Sequence, residues 1–173
     1  MLRARYGIHA QLLIVGGEPH SLAGSPDLVR LHRLVEQLRM RDAVLFCGPK
    51  ERGELRYYYS AADAYVTSPW YESFGVTPVE AMACARPVIG AEIGGITATV
   101  VDGETGFIVP PRDPQAICDR LAVLRANPAL ARSMGDAGMR RAFQHYVWRL
   151  VAQKILVLYA TAAAQGRRVR AAP

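Results

Sequence analysis

The sequence predicts an α/β fold: a three-layer arrangement with a parallel sheet and helices on both of its faces. Three observations lead there. Short apolar runs end in loops rich in glycine ("AQLLIVGG", "AVLFCG", "RPVIGA"). Amphipathic segments opened by proline alternate with them ("SPDLVRLHRLVEQLRM", "DPQAICDRLAVLRA"). Strands that are apolar along their whole length, joined by helices, indicate a parallel sheet covered on both sides. Finally, each distinctive loop ("GGEPH", "CGPKE", "SPWYESFG", "GAEIGG") follows a strand, and ligands of such sheets gather at the carboxyl ends of the strands.

Taken in order, "AQLLIVGG" is a buried strand entering a loop. The helix "SPDLVRLHRLVEQLRM" follows, with Ser25 as cap, Pro26 at its first position, and Leu28, Leu31, Leu34, Val35 and Leu38 on one face. "AVLFCG" is the next strand, "ERGELRYYYSAA" surrounds a helix in which Tyr57, Tyr58 and Tyr59 read as packing residues, and "AYVTS" is a strand stopping at Ser68-Pro69. "RPVIGA" is again a strand, followed by the loop "EIGGI" and a short helical turn in "TATVVDG". "TGFIVPP" holds the last strand. Asp-Pro and Asn-Pro then open two helices, "DPQAICDRLAVLRA" and "NPALARSMGDAGMRRAF". A closing helix covers Tyr146 to Ala164, and Arg167, Arg168 and Arg170 belong to a basic, flexible tail.

The 173 residues fit one domain with room for a core. An apolar share of 51% against 21% charged excludes a disordered chain. No stretch approaches the roughly 20 apolar residues of a membrane span, although peripheral association with a membrane is left open. The first residues lack the pattern of a secretory leader, so a cytoplasmic location is expected. Cys47, Cys84 and Cys118 form no CxxC and no cluster with histidine; they are expected to be buried, reduced thiols, with no metal site. The net charge of +6 favours an anionic ligand only weakly. Basic and aromatic residues do not alternate as they do in proteins that grip single-stranded nucleic acid, and no nucleic-acid partner is expected. His9, His20, His32 and His145 fall at no ligand or triad spacing, with His20 in the loop after "VGGEP" at the edge of the expected site. Ser25 and Ser73 lack a paired base, and GxGxxG does not occur, so hydrolysis through a serine and hydride transfer both lack support.

The chemistry concentrates in Trp70 to Ala83, "WYESFGVTPVEAMA". Pro78 suits the first turn of a helix, which is therefore expected to start at Val76 or Thr77. The amides of Phe74, Gly75, Val76 and Thr77 would point out of that N-terminus, where the helix dipole favours an anion. Gly75 removes the side chain that would block close backbone approach. Glu72 lies just before the helix and Glu80 in its first turn or so. A carboxylate accepts from two neighbouring hydroxyls at once, as on a ribose or a hexose. Single acids at a helix start are commonly dipole partners worth about 0.3–1 kcal/mol. Two of them framing Phe-Gly point to sugar, phosphate and sugar in a row, the shape of a nucleotide sugar.

The stretch from "SPWYESFGVTPVEAMA" to "TGFIVPPRDPQAI" resembles the donor-binding half of retaining GT-B glycosyltransferases, the glycosyl transferases group 1, among them sucrose synthase and sucrose-phosphate synthase. The glutamate pair matches that family's E-x7-E motif. "LLIVGG", "VLFCGP" and "ELRYYYSAADAYVTSP" are similar in order and spacing, so the likeness runs from Ala10 to about Phe143. The resemblance implies a Rossmann-like C-terminal half of a GT-B fold. It further implies that Glu72 touches the hydroxyls of the donor sugar and is the catalytic candidate. Phe74, Gly75 and Val76 would meet sugar and diphosphate through their amides, with Ser73 and Thr77 beside them, and Glu80 would hold the ribose. Gly16 and Gly17 match glycines beside the donor pocket, and Gly48, Pro49 and Lys50, with Leu55 beyond, match the loop that brackets the nucleobase. The implied donor is a UDP-, GDP- or ADP-hexose, used with retention and with no metal or other cofactor.

On this reading residues 1–145 are a donor-binding domain lacking its first strand, 146–164 a crossover helix and 165–173 the tail. The implied partner is an acceptor-binding N-terminal domain or a separate chain that supplies it. Two departures stand out. Ala85 replaces a frequent family glycine, and the family's Arg…Lys-Gly segment, whose cations bind the diphosphate, has no counterpart; Arg3, Arg5 and Lys50 are poor stand-ins. Two alternatives stay open beside the enzyme: a non-catalytic nucleotide-binding module or inactive remnant and, more distantly, a nucleotide-sugar epimerase on the same scaffold.

Overall fold

The computed structural model describes residues 1–17 and 26–170, with side chains through residue 163. The cap expected at Ser25 and the histidine at position 20 lie outside the described residues. Five strands, β1 (Leu12–Val15), β2 (Val44–Gly48), β3 (Tyr65–Thr67), β4 (Val88–Ala91) and β5 (Gly106–Val109), alternate with helices. The helices are α1 (Leu2–Tyr6), α2 (Pro26–Gln37), α3 (Leu55–Ala61), α4 (Val76–Ala83), α5 (Ile96–Thr99), α6 (Pro114–Ala126), α7 (Pro128–His145) and α8 (Trp148–Arg170). Every pairing is parallel, as the alternation requires.

The strands divide into two ladders, β1 with β2 and β3-β4-β5, with no hydrogen-bonded pairing between β1 and β3 among the described residues. The sequence led us to expect a parallel sheet in a domain without its first strand.

The core lies around the three-stranded ladder. β4 is buried along its whole length. Its alternating side chains serve two faces: Val88 packs with Ala81, Met82, Ile96 and Ala142, and Ile89 packs with Phe107, Val109, Leu124 and Met134. α7 crosses α4 closely, and a Cβ on Gly135 would come within 2.2 Å of the Ala85 carbonyl oxygen. The β1–β2 ladder is thinner, with Leu12 and Leu45 about half exposed. The Asp113 and Asn127 side chains accept from the amides of Ala116 (2.9 Å) and Leu130 (3.0 Å), capping α6 and α7 ahead of their opening prolines.

Two smaller points differ from expectation, and a third concerns Ala85. α8 continues to Arg170, so the tail expected from residue 165 is helical at the backbone through 170, in a stretch whose alanines, glutamine and arginines favour helix. The three cysteines are free but only half-buried: Cys47 lies on β2, which is covered less than β4, Cys84 is the C-cap of α4, and Cys118 lies within α6. Ala85 lies in the left-handed region at φ +56°, where an L-residue is strained by about 1–2 kcal/mol.

Candidate functional site

The site is built on the loop from β3 to α4. α4 begins at Val76, with Pro78 buried in its first turn. Gly75, its N-cap, has φ +87°, a conformation suited to glycine. The loop rests on a second pair of glycines after β4. The Gly95 amide donates to the Glu72 carbonyl at 2.9 Å. A Cβ on Gly95 would fall 2.3 Å from Phe74 Cα, and one on Gly94 would fall 1.9 Å from the Glu72 carbonyl oxygen. These two positions admit no side chain, and they set the height of the loop above the sheet.

Glu72 turns back onto its own loop. Its Oε1 accepts from the amides of Phe74 (3.1 Å) and Gly75 (2.9 Å). Two of the four amides that the sequence assigned to a phosphate are thus taken by the chain's own carboxylate, because an acid two and three residues upstream closes a tight local turn. The amides of Val76 and Thr77 meet no acceptor among the described residues. They remain available at the positive end of the helix. Both residues are exposed, as are Ser73 and Phe74. The Phe74 ring stands edge-on to Tyr146 at 5.9 Å, tying the loop to the end of α7.

Glu80 lies one turn further into α4, half-buried. Its Oε2 accepts from the Tyr59 hydroxyl of α3 at 3.1 Å, and its Oε1 lies 3.9 Å from Arg52 Nη2. Burial, reinforced by the charge of Glu80, pushes the Tyr59 phenol well above its usual pKa. Arg52 extends from the loop after β2, so the segment Gly48-Pro49-Lys50 borders the Glu80 end of the site. That loop is joined in turn to the end of β1, where the Gly16 amide donates to the Gly48 carbonyl at 2.9 Å. Leu55 opens α3 behind it.

The structure therefore brings Glu72, Ser73, Phe74, Gly75, Val76, Thr77 and Glu80 together around one helix mouth. It links Gly16, Gly48, Pro49 and Lys50 to the Glu80 side through a neighbouring loop, and Gly17 continues from Gly16. Lys50 is directed onto Tyr58, its ammonium 5.7 Å from the ring centroid and its pKa raised by a hydrogen bond to that phenol. Arg3 and Arg5 belong to α1, which docks on α6 through a hydrogen bond from Tyr6 to Asp119. None of the three pairs with Glu72 or Glu80 among the described residues. Sequence reasoning missed Tyr59, Arg52 and the supporting role of Gly94-Gly95. The adjacent glycines following a strand carried a signal for the last; a tyrosine within "YYY" carried none that separated packing from hydrogen bonding.

Among the described residues no three His, Cys, Asp or Glu side chains gather as metal ligands, and no helix is long and apolar enough to cross a membrane.

Comparisons with known proteins fit this geometry. The family described as "Glycosyl transferases group 1" matches residues 1–141. A D-inositol 3-phosphate glycosyltransferase of Streptomyces bingchenggensis is 36% identical over 157 residues, spanning 91% of this chain and 34% of that protein. The chain thus spans about a third of the length of the curated relatives it matches. Among solved structures, a sucrose-phosphate synthase from Thermosynechococcus elongatus matches with a TM-score of 0.82 at 37% identity, over 90% of this chain and 39% of that one. Anabaena HepE in complex with UDP matches with a TM-score of 0.80 at 25% identity, over 88% and 41%.

Proposed function

Because the chain belongs to the glycosyl transferases group 1 family, we propose that it forms the donor-binding half of a glycosyltransferase. In this reading it holds a nucleoside diphosphate sugar while the glycosyl group passes to an acceptor bound by a further domain or partner chain. The observation that carries the reading is the mouth of α4, where two unpartnered amides lie between a carboxylate at the loop and another one turn into the helix.

The amides of Val76 and Thr77 and the positive end of α4 suit the diphosphate. They oppose the charge that grows on its oxygens as the glycosidic bond breaks, which is how fixed dipoles lower such a barrier. Glu80 accepts from the ribose hydroxyls. Glu72 releases Phe74 and Gly75 to the ligand, or keeps them and turns its second oxygen to the sugar ring, a hexose in this reading. No metal is needed in this scheme, since backbone dipoles carry the charge, and transfer proceeds with retention. UDP is the first nucleotide to test, since HepE was solved with UDP bound.

A strand pairing on the open edges of β1 and β3 would complete the sheet, and we place the segment preceding β1 of a full-length enzyme there. The break itself favours a second reading, in which this chain binds nucleotide but transfers nothing by itself. Calorimetry with UDP, GDP and ADP, followed by assay of donor hydrolysis with and without an added N-terminal half, tests both. Binding of one nucleotide supports the donor site. Hydrolysis appearing only with the added half supports the enzyme, and no binding at millimolar nucleotide contradicts the donor reading.

A further inference from the structure

We propose that Tyr59 is a positioning residue that fixes the Glu80 carboxylate for ribose recognition; this rests on the donor-site reading above. Tyr59 stands on α3, twenty-one residues before Glu80, and reaches across to α4 to donate its single hydroxyl proton to Oε2 at 3.1 Å. Its ring is braced edge-on against Tyr65 of β3, with centroids 5.6 Å apart and planes at 72°. The phenol is held at its base by the core and at its tip by the acid.

The consequences follow from the chemistry of a carboxylate. The terminal torsion of glutamate is broad, so an unrestrained carboxylate samples many orientations. A diol requires one orientation, with both oxygens presented to adjacent hydroxyls. The Tyr59 bond uses one acceptor site on Oε2 and leaves about three of the four the carboxylate offers. Those suffice for two hydroxyls, now in a fixed plane. Burial and the charge of Glu80 raise the pKa of the phenol and so favour its protonated, donating form. Arg52 approaches the other oxygen, but at 3.9 Å from a largely exposed side chain it contributes little orientation.

Removing the hydroxyl while keeping the ring separates positioning from packing. Calorimetry would compare UDP with 2′,3′-dideoxy-UDP in the unsubstituted chain and in Tyr59→Phe, Glu80→Gln and Arg52→Ala. The expected result is that Tyr59→Phe lowers the preference for UDP by about three- to ten-fold while affinity for the dideoxy analogue is kept. Glu80→Gln should abolish most of the preference, and Arg52→Ala should change it by less than about two-fold. An unchanged preference in Tyr59→Phe, with Glu80→Gln still losing it, overturns the role of Tyr59 and leaves the ribose reading standing. Equal loss for both probes in Tyr59→Phe assigns the tyrosine to packing and also overturns the proposal. If the unsubstituted chain fails to prefer UDP, the ribose reading falls and the proposal with it.

Discussion

Glu72 Oε1 lies 2.9 Å from the amide nitrogen of Gly75, so the first acid of the pair occupies the mouth of α4 itself. An acid in that position does two things. It holds the loop in shape with bonds to a charged acceptor, and it stands where a ligand anion or hydroxyl would otherwise bind. Donor binding must therefore compete with this carboxylate or make use of its free oxygen.

Glu72→Ala is expected to free the amides of Phe74 and Gly75 and to remove the contact to the sugar. Affinity for UDP should stay within about three-fold of the original, because the new anion site offsets the looser loop, while preference for UDP-glucose over UDP falls about ten-fold. Calorimetry with both ligands reads the ratio. A matched loss for both would place Glu72 outside sugar recognition.

Gly95→Ala drives a methyl group into Phe74 Cα, where the nearest approach would be 2.3 Å. Backbone cannot yield as a flexible side chain does, so the loop must lift from the sheet. The expectation is about 1–3 kcal/mol of lost stability in urea unfolding and nucleotide binding weakened by more than about ten-fold. Binding retained at full strength would mean that the loop height does not matter.

Ala85→Gly should relieve the strain of φ +56°. Glycine loses more freedom on folding, so the net gain is about 0.5–1 kcal/mol, read as a higher midpoint in urea with unchanged slope. Gly135→Ala, aimed at the Ala85 carbonyl oxygen, should instead cost about 1–3 kcal/mol.

The tie between α1 and α6 should depend on pH in one direction. The hydrogen bond from Tyr6, and then that from Gln115, hold the Asp119 carboxyl below its usual pKa of 3.8. The docked form binds a proton less readily than the undocked one, so the stabilisation is present above that usual value and is lost as pH falls through the lowered one. The difference in Tm between the unsubstituted chain and Tyr6→Phe should accordingly be larger at pH 6 than at pH 3, and this dependence on pH should vanish in the background Asp119→Asn, whose amide oxygen still accepts but does not titrate.

Most elements were legible because they carried a local signal: proline at the start of α2, α6 and α7, glycine at the strand ends, and uninterrupted apolar residues in β4; the short α1 carried none. The sequence also placed the start of α4 correctly, since Pro78 tolerates only the first turn. The strand order within the two ladders was not legible, because which strands pair is decided by tertiary contacts that no local pattern reports. The site was legible as a set of residues but not as a set of bonds. Spacing shows that Glu72 precedes the amides of Phe74 and Gly75, yet not that its carboxylate folds back onto them. The reach of Tyr59 to Glu80 joins two helices across a strand and has no signature in either segment.

The most direct test of the grip at the mouth of α4 is the amide spectrum of 15N-labelled protein as UDP is added. The amides of Phe74, Gly75, Val76 and Thr77 should move furthest and together, with one affinity, and the effect should weaken in Glu80→Gln. Saturable UDP binding that leaves those four amides in place would contradict the account.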